Sequence, residues 1–131
     1  VNTTSLVVRC WWLFGYLLVA TVVWLSLAPG VPGPDLYGID KLEHCFAYLM
    51  LMLWFAQVTE RRHWLGTALT LALLGLLLEI GQLLVPERFF SVWDLGANWL
   101  GVVFGWLLAS AGLNRGVAVA AGALKLVTAK K

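Results

Sequence analysis

Asp40, His44 and Tyr48 recur every four residues, so on a helix they form one stripe, with Lys41 beside it. Glu79 and Gln82 stand three apart, and Asp94 and Asn98 four apart, which again places each pair on one helical face. Together with the cations Lys41 and Arg88, these groups could supply a general base, an anion clamp, and side chains that orient a hydroxyl or water. An imidazole titrates near neutral pH, so His44 suits the base, with Asp40 one turn earlier or Glu79 across a cleft to orient it. Arg88 and Lys41 suit a phosphate, Arg by a bidentate contact. Asp94 and Asn98 would position the nucleophile. Alternatively, Asp94 shares a divalent cation with Glu79 and Asp40, although no tight ligand motif such as HExxH is present.

The elements that must position these groups are apolar. The chain has 131 residues, 61% hydrophobic and 12% charged, with a mean hydropathy of +0.85. No soluble domain of this size needs so much apolar surface, and the composition is that of a membrane protein. At about 20 residues per span, the expected fold is all-α: a four-helix transmembrane bundle forming one domain over residues 1–131, with no extramembrane domain. The spans are placed at about 10–28, 40–59, 64–85 and 92–112, followed by a short basic tail, 113–131. PGVPGPD stops the first span and Pro86 closes the third. The first span has no small-x-small cleavage site after it and reads as a retained helix rather than a signal peptide. Trp11, Trp12, Trp24, Trp64 and Trp93 fall near span ends, where amphipathic rings anchor at the interface. The tail alternates apolar and basic residues and reads either as a short interfacial helix or as frayed.

Lys and Arg counts set the orientation. With the N-terminus cytoplasmic, Arg9, Arg61, Arg62, Arg115, Lys125, Lys130 and Lys131 lie inside, and only Lys41 and Arg88 lie outside. This asymmetry argues for both termini cytoplasmic and for a multi-pass protein of the plasma membrane. The net charge of +2 is thus a topology signal and no sign of nucleic acid; the basic tail suits anionic lipid. Cys10 and Cys45 fall at opposite depths, which argues against a disulfide, and Cys10 reads as a small buried side chain rather than a palmitoylation site.

With the orientation set, the polar groups gather at the outer ends of the second, third and fourth spans. Beneath them the same faces become small: Gly75, Ala72 and Ala68 in the third span, Gly101 and Gly105 in the fourth. Small residues let helix backbones approach closely, the main route to helix association in lipid. Each polar residue also has a structural explanation. Asp40 with Glu43, and Ser91 with Asp94, resemble capping boxes; His44, Tyr48, Gln82 and Asn98 can hydrogen-bond or pack between helices; Lys41 and Arg88 can be interfacial charges. Glu79 resists such a reading, because it lies about two turns inside Val85. A carboxylate within a span costs about 2.5 to 3.5 kcal/mol, and such residues usually face a cavity or pathway.

These residues fall into three blocks: D40-K41-x-x-H44-x-x-x-Y48, E79-x-x-Q82-x-x-x-P86-x-R88 and S91-x-x-D94-x-x-x-N98-x-x-G101-x-x-x-G105. In this order they resemble the VanZ-like family of small bacterial integral membrane proteins over roughly residues 38–108. Many members carry Gly between the Pro and Arg of the middle block, where this chain has Glu87. The family takes its name from a protein associated with low-level teicoplanin resistance, which defines no biochemical activity. At wider range it is similar to a proposed superfamily of lipid-head-group enzymes that includes phosphatidylserine synthases. The resemblance implies phosphoester exchange or hydrolysis on a membrane lipid or lipid-linked substrate, either a phospholipid or a polyprenyl-linked head group, at the outer face. The alternative is a non-catalytic protein that binds a lipid head group or lipoglycopeptide and protects cell-wall precursors. A proton or ion pathway is disfavoured, because LMLWFA, ALTLALLG and VVFGWLLA leave the inner halves almost without polar residues.

Overall fold

The computed structural model describes residues 3–29 and 38–128. Most of PGVPGPD lies outside the described residues, as do Lys130 and Lys131 of the basic count. The chain forms α1 (Thr3–Leu27), α2 (Ile39–Phe55), α3 (Trp64–Gln82), α4 (Val92–Leu108) and α5 (Gly116–Thr128), with no strand among the described residues. A 3-10 turn, Arg61–His63, leads into α3, and a π-helical turn, Ala109–Leu113, extends α4.

Among the described residues, three stretches are long and apolar enough to cross a membrane: Thr4–Leu27, Arg61–Gln82 and Val92–Leu113. The second expected span differs. α2 has 17 residues and ends at Phe55 rather than 59, because the chain turns at Ala56–Thr59, where Thr59 Oγ1 donates to the Phe55 carbonyl. α1 begins seven residues before the expected start. The tail is neither frayed nor separate, since α5 packs along the N-terminal half of α1 and buries Ala121 and Val7. Gly112 allows this return, as its φ of 104° breaks the path of α4 in a conformation open mainly to glycine.

The core lies between α2, α3 and α4, around Tyr48, Leu51, Met52, Trp64, Leu71 and Val102. Large apolar side chains also cover the outside: Leu17, Leu65, Leu69, Leu77 and Leu107 are all more than half exposed. A water-soluble chain hides such surface, whereas a membrane receives it. Trp64 is only 2% exposed and donates its indole N–H to the Thr59 carbonyl at 3.2 Å, so it packs inside rather than anchoring outside. Trp11 stacks on Trp54 with ring centroids 4.7 Å apart, and Trp54 donates to the Trp11 carbonyl at 2.9 Å, tying α1 to α2. Cys10 is exposed rather than buried, and both Cys10 and Cys45 are free thiols.

Packing is closest between α2 and α4. A Cβ on Gly101 would collide with the Cys45 carbonyl oxygen, and one on Gly105 would meet the Leu49 carbonyl oxygen and Met52 Cβ. Cys45 and Leu49 are one turn apart on α2, as Gly101 and Gly105 are on α4, so two backbones lie against each other over a full turn. On α3, a Cβ at Gly75 would sit 3.2 Å from Asn98 Nδ2 and 3.3 Å from Tyr48 Cζ. The small-residue faces thus bring three helices together directly beneath the polar residues.

Candidate functional site

The last turn of α1, the start of α2, the end of α3 and the start of α4 meet at one end of the bundle, and the polar residues meet with them. His44 of α2, Glu79 of α3 and Asp94 of α4 each place a donor atom within 4.8 Å of the other two. Glu79 is 1% exposed and Asn98 likewise, while the Asp94 side chain is 13% exposed. His44 Nδ1 lies 3.1 Å from Asn98 Oδ1. With the amide oxygen as acceptor, Nδ1 carries the proton and Nε2 keeps its lone pair.

Glu79 is held by a backbone group that no side-chain pattern reveals. Ser91 is the N-cap of α4: its Oγ accepts from the Asp94 N–H at 3.2 Å, while its own N–H donates to Glu79 Oε2, also at 3.2 Å. In a capping box the acid three residues on would accept that second N–H. Here Glu79 takes that place from a neighbouring helix, which frees the Asp94 carboxylate to face Lys41 Nζ at 3.0 Å. The other oxygen of Glu79, Oε1, is buried without a hydrogen-bond partner among the described residues, and so is the hydroxyl of Tyr48, a residue 1% exposed.

Asp40 is not the partner of His44. It stands in the second position of α2 after Gly38, which is the N-cap with φ 94° and makes no side-chain cap. The Asp40 side chain is 55% exposed and accepts from Lys41 Nζ at 2.7 Å. One residue along a helix turns the side chain by about 100°, so Lys41 reaches Asp94 and Asp40 stays at the rim. The expected Asp40–Glu43 capping box does not form, and Asn98 rather than Asp40 or Glu79 holds the imidazole.

Arg88 also departs from expectation. Its Nε donates to the Ala28 carbonyl at 3.1 Å and an Nη to the Leu25 carbonyl at 3.2 Å. Those carbonyls end α1, where a cation is favoured by unsatisfied acceptors and by the helix dipole. Arg88 therefore binds α1 to the α3–α4 connection instead of facing Asp94. Gln82, 3% exposed, acts alongside it by donating to the Ser26 carbonyl at 3.3 Å. Glu87, just before Arg88, has φ 63°, the left-handed conformation that the expected glycine would adopt freely, so the loop keeps its shape at some strain.

Between α1 and this cluster lies an open cleft of about 150 Å³, lined by Val22, Leu25, Ser26, Glu43, His44, Ala47, Gln82 and Arg88. α1 thus supplies a wall that sequence patterns do not reveal, because its polar contributions are main-chain carbonyls. At the same end of the bundle, in the α3–α4 connection and the first turn of α4, Leu84 is 89% exposed, Phe89 80% and Trp93 79%. The arrangement offers a charged and hydrogen-bonding interior beside an apolar surface.

The family model described as VanZ/LLP1 matches residues 6–113. Neither the curated proteins nor the solved structures contain a match.

Proposed function

The chain belongs to the VanZ/LLP1 family, and from that premise we propose that this membrane protein acts on a phosphate-bearing lipid head group, phospholipid or polyprenyl-linked, by phosphoester exchange or hydrolysis. The observation that carries this reading is the meeting of His44, Glu79 and Asp94 from three helices within 4.8 Å, with His44 also lining an open cleft beside Gln82 and Arg88. The exposed Leu84, Phe89 and Trp93 at this end of the bundle give apolar surface that suits a lipid tail better than a soluble substrate. Lys41 is the cation for the phosphate, with Asp40 and Asp94 fixing its position. His44, Glu79 and Asp94 form the reacting cluster, Asn98 orients the imidazole, and Tyr48 and Gln82 line and brace the floor and wall. Arg88 lines the cleft and holds α1 as one side of it.

The Lys and Arg distribution supports four membrane crossings, α2 being the shortest, with both termini cytoplasmic and the cleft opening outward at the plasma membrane. Lipid mass spectrometry of cells carrying wild-type or Asp94→Ala protein at matched expression tests the reading. An altered phosphate-bearing lipid with the wild type alone is expected. Identical lipid profiles alongside saturable head-group binding would contradict catalysis and favour a protein that only binds.

A further inference from the structure

We propose that His44, Glu79 and Asp94 together hold one divalent cation, a ligand set that excludes Asp40. Ligands at roughly 2.0 to 2.4 Å from a shared cation lie about 3 to 5 Å from one another, and the three donor atoms already fall within 4.8 Å. Three buried oxygens lack hydrogen-bond partners among the described residues: Glu79 Oε1, in the cluster itself, the Tyr48 hydroxyl, on the same stripe of α2 one turn below His44, and Asp94 Oδ1, which has its ion pair with Lys41. Leaving such groups unmet carries the full desolvation penalty of a buried polar atom. A cation takes the first directly, and a water on that cation meets the second.

The surrounding contacts fit a metal centre. His44 has Nδ1 held by Asn98, which leaves Nε2 as the ligand, the usual arrangement in which the second ring nitrogen is fixed by an outer partner. Glu79 has one oxygen fixed by the Ser91 N–H and the other free. Asp94 has Oδ1 at Lys41, leaving Oδ2 for the cation. Lys41 meets Asp94 and Asp40 but not Glu79, so among the described residues the more buried carboxylate has no ion-pair partner within 4.0 Å. One imidazole nitrogen with two carboxylates suits Mn²⁺ or Zn²⁺ better than Mg²⁺ or Ca²⁺, which favour all-oxygen sites.

The inference rests on side-chain geometry and stands apart from the lipid reading. The test is Mn²⁺ titration of the chelator-stripped, detergent-purified full chain, followed by electron paramagnetic resonance with Zn²⁺ as competitor. One saturable Mn²⁺ per chain is expected, displaced by Zn²⁺. Glu79→Gln, whose amide oxygen still accepts the Ser91 N–H, and Asp94→Asn should each weaken binding at least about tenfold, and Asn98→Ala by about 10- to 100-fold. Asp40→Asn should stay within about twofold. Bound Mn²⁺ should also raise the wild-type Tm reversibly, a readout that needs no variant to fold. Absence of saturable binding and of a Tm shift, or Glu79→Gln binding as tightly as wild type, would overturn the proposal. A chain that binds Mn²⁺ but leaves lipids unchanged refutes only the lipid reading; lipid turnover without any bound cation refutes only this one.

Discussion

Replacing Gly105 by Ala adds one methyl group where the α2 and α4 backbones lie against each other, and its effect can be worked from the geometry. The new Cβ would stand 2.5 Å from the Leu49 carbonyl oxygen and 2.8 Å from Met52 Cβ, whereas favourable contacts begin at about 3.5 Å. Both neighbours are backbone or near-backbone atoms, so the helices must part by roughly 1 Å rather than let a side chain swing away. Overpacking of this kind costs about 1 to 3 kcal/mol; from its central value of about 2 kcal/mol, the better helix propensity of Ala returns up to about 1 kcal/mol, so the expected net loss is about 1 to 2 kcal/mol. Gly96→Ala is the matched control on the same helix. Nothing lies within 4 Å of its added Cβ, so only propensity applies, and stability should be unchanged or higher by up to about 1 kcal/mol. Reversible unfolding in mixed micelles of mild detergent and SDS, followed by circular dichroism, measures both. The parting of α2 and α4 should also carry Asn98 away from His44, stretching a 3.1 Å contact beyond hydrogen-bond reach. Equal shifts in the two variants, or a Gly105→Ala protein as stable as wild type, would refute the claim that backbone contact at these glycines holds the site together.

Ser91→Ala removes the acceptor for the Asp94 N–H while keeping the N–H that Glu79 binds, and should cost about 1 kcal/mol; faster amide exchange in the first turn of α4 is the readout, and unchanged exchange would discount the cap. Arg88→Ala removes both donors to the end of α1 and should destabilise the protein by about 1 to 3 kcal/mol in the same micelles; no loss would remove Arg88 from its bracing role. Glu87→Gly relieves a left-handed backbone worth about 1 to 2 kcal/mol, less the extra freedom of glycine when unfolded, so stability should rise by up to about 1 kcal/mol. A fall would show that the Glu87 side chain makes contacts that outweigh its strain.

Much of the site was legible because helical spacing dictates which side chains share a face. Three- and four-residue steps placed His44 above Tyr48 and Asn98 above Gly101 and Gly105, and small residues on the third and fourth spans pointed to close helix packing beneath the polar groups, but not to α2 as the partner of Gly101 and Gly105. What escaped reading involves groups without a letter in the sequence. The carbonyls of Leu25, Ser26 and Ala28 draw Arg88 and Gln82 toward α1, and the Ser91 N–H fixes Glu79; neither acceptor nor donor is visible as a side chain. Asp40 and Lys41 are adjacent, and pattern alone could not say which of the two turns inward. The tail's alternating letters left its helix undecided, because packing of Ala121 on α1 settles it rather than local preference.

The most direct measurement is head-group composition, by mass spectrometry, of liposomes made from bacterial lipid extract after incubation with purified protein. Wild type should convert at least one phosphate-bearing lipid, and His44→Gln and Glu79→Gln should abolish the conversion while remaining folded by circular dichroism. A lipid profile that wild-type protein leaves unchanged, or one that Glu79→Gln alters to the same extent, would contradict a reacting site built from His44, Glu79 and Asp94.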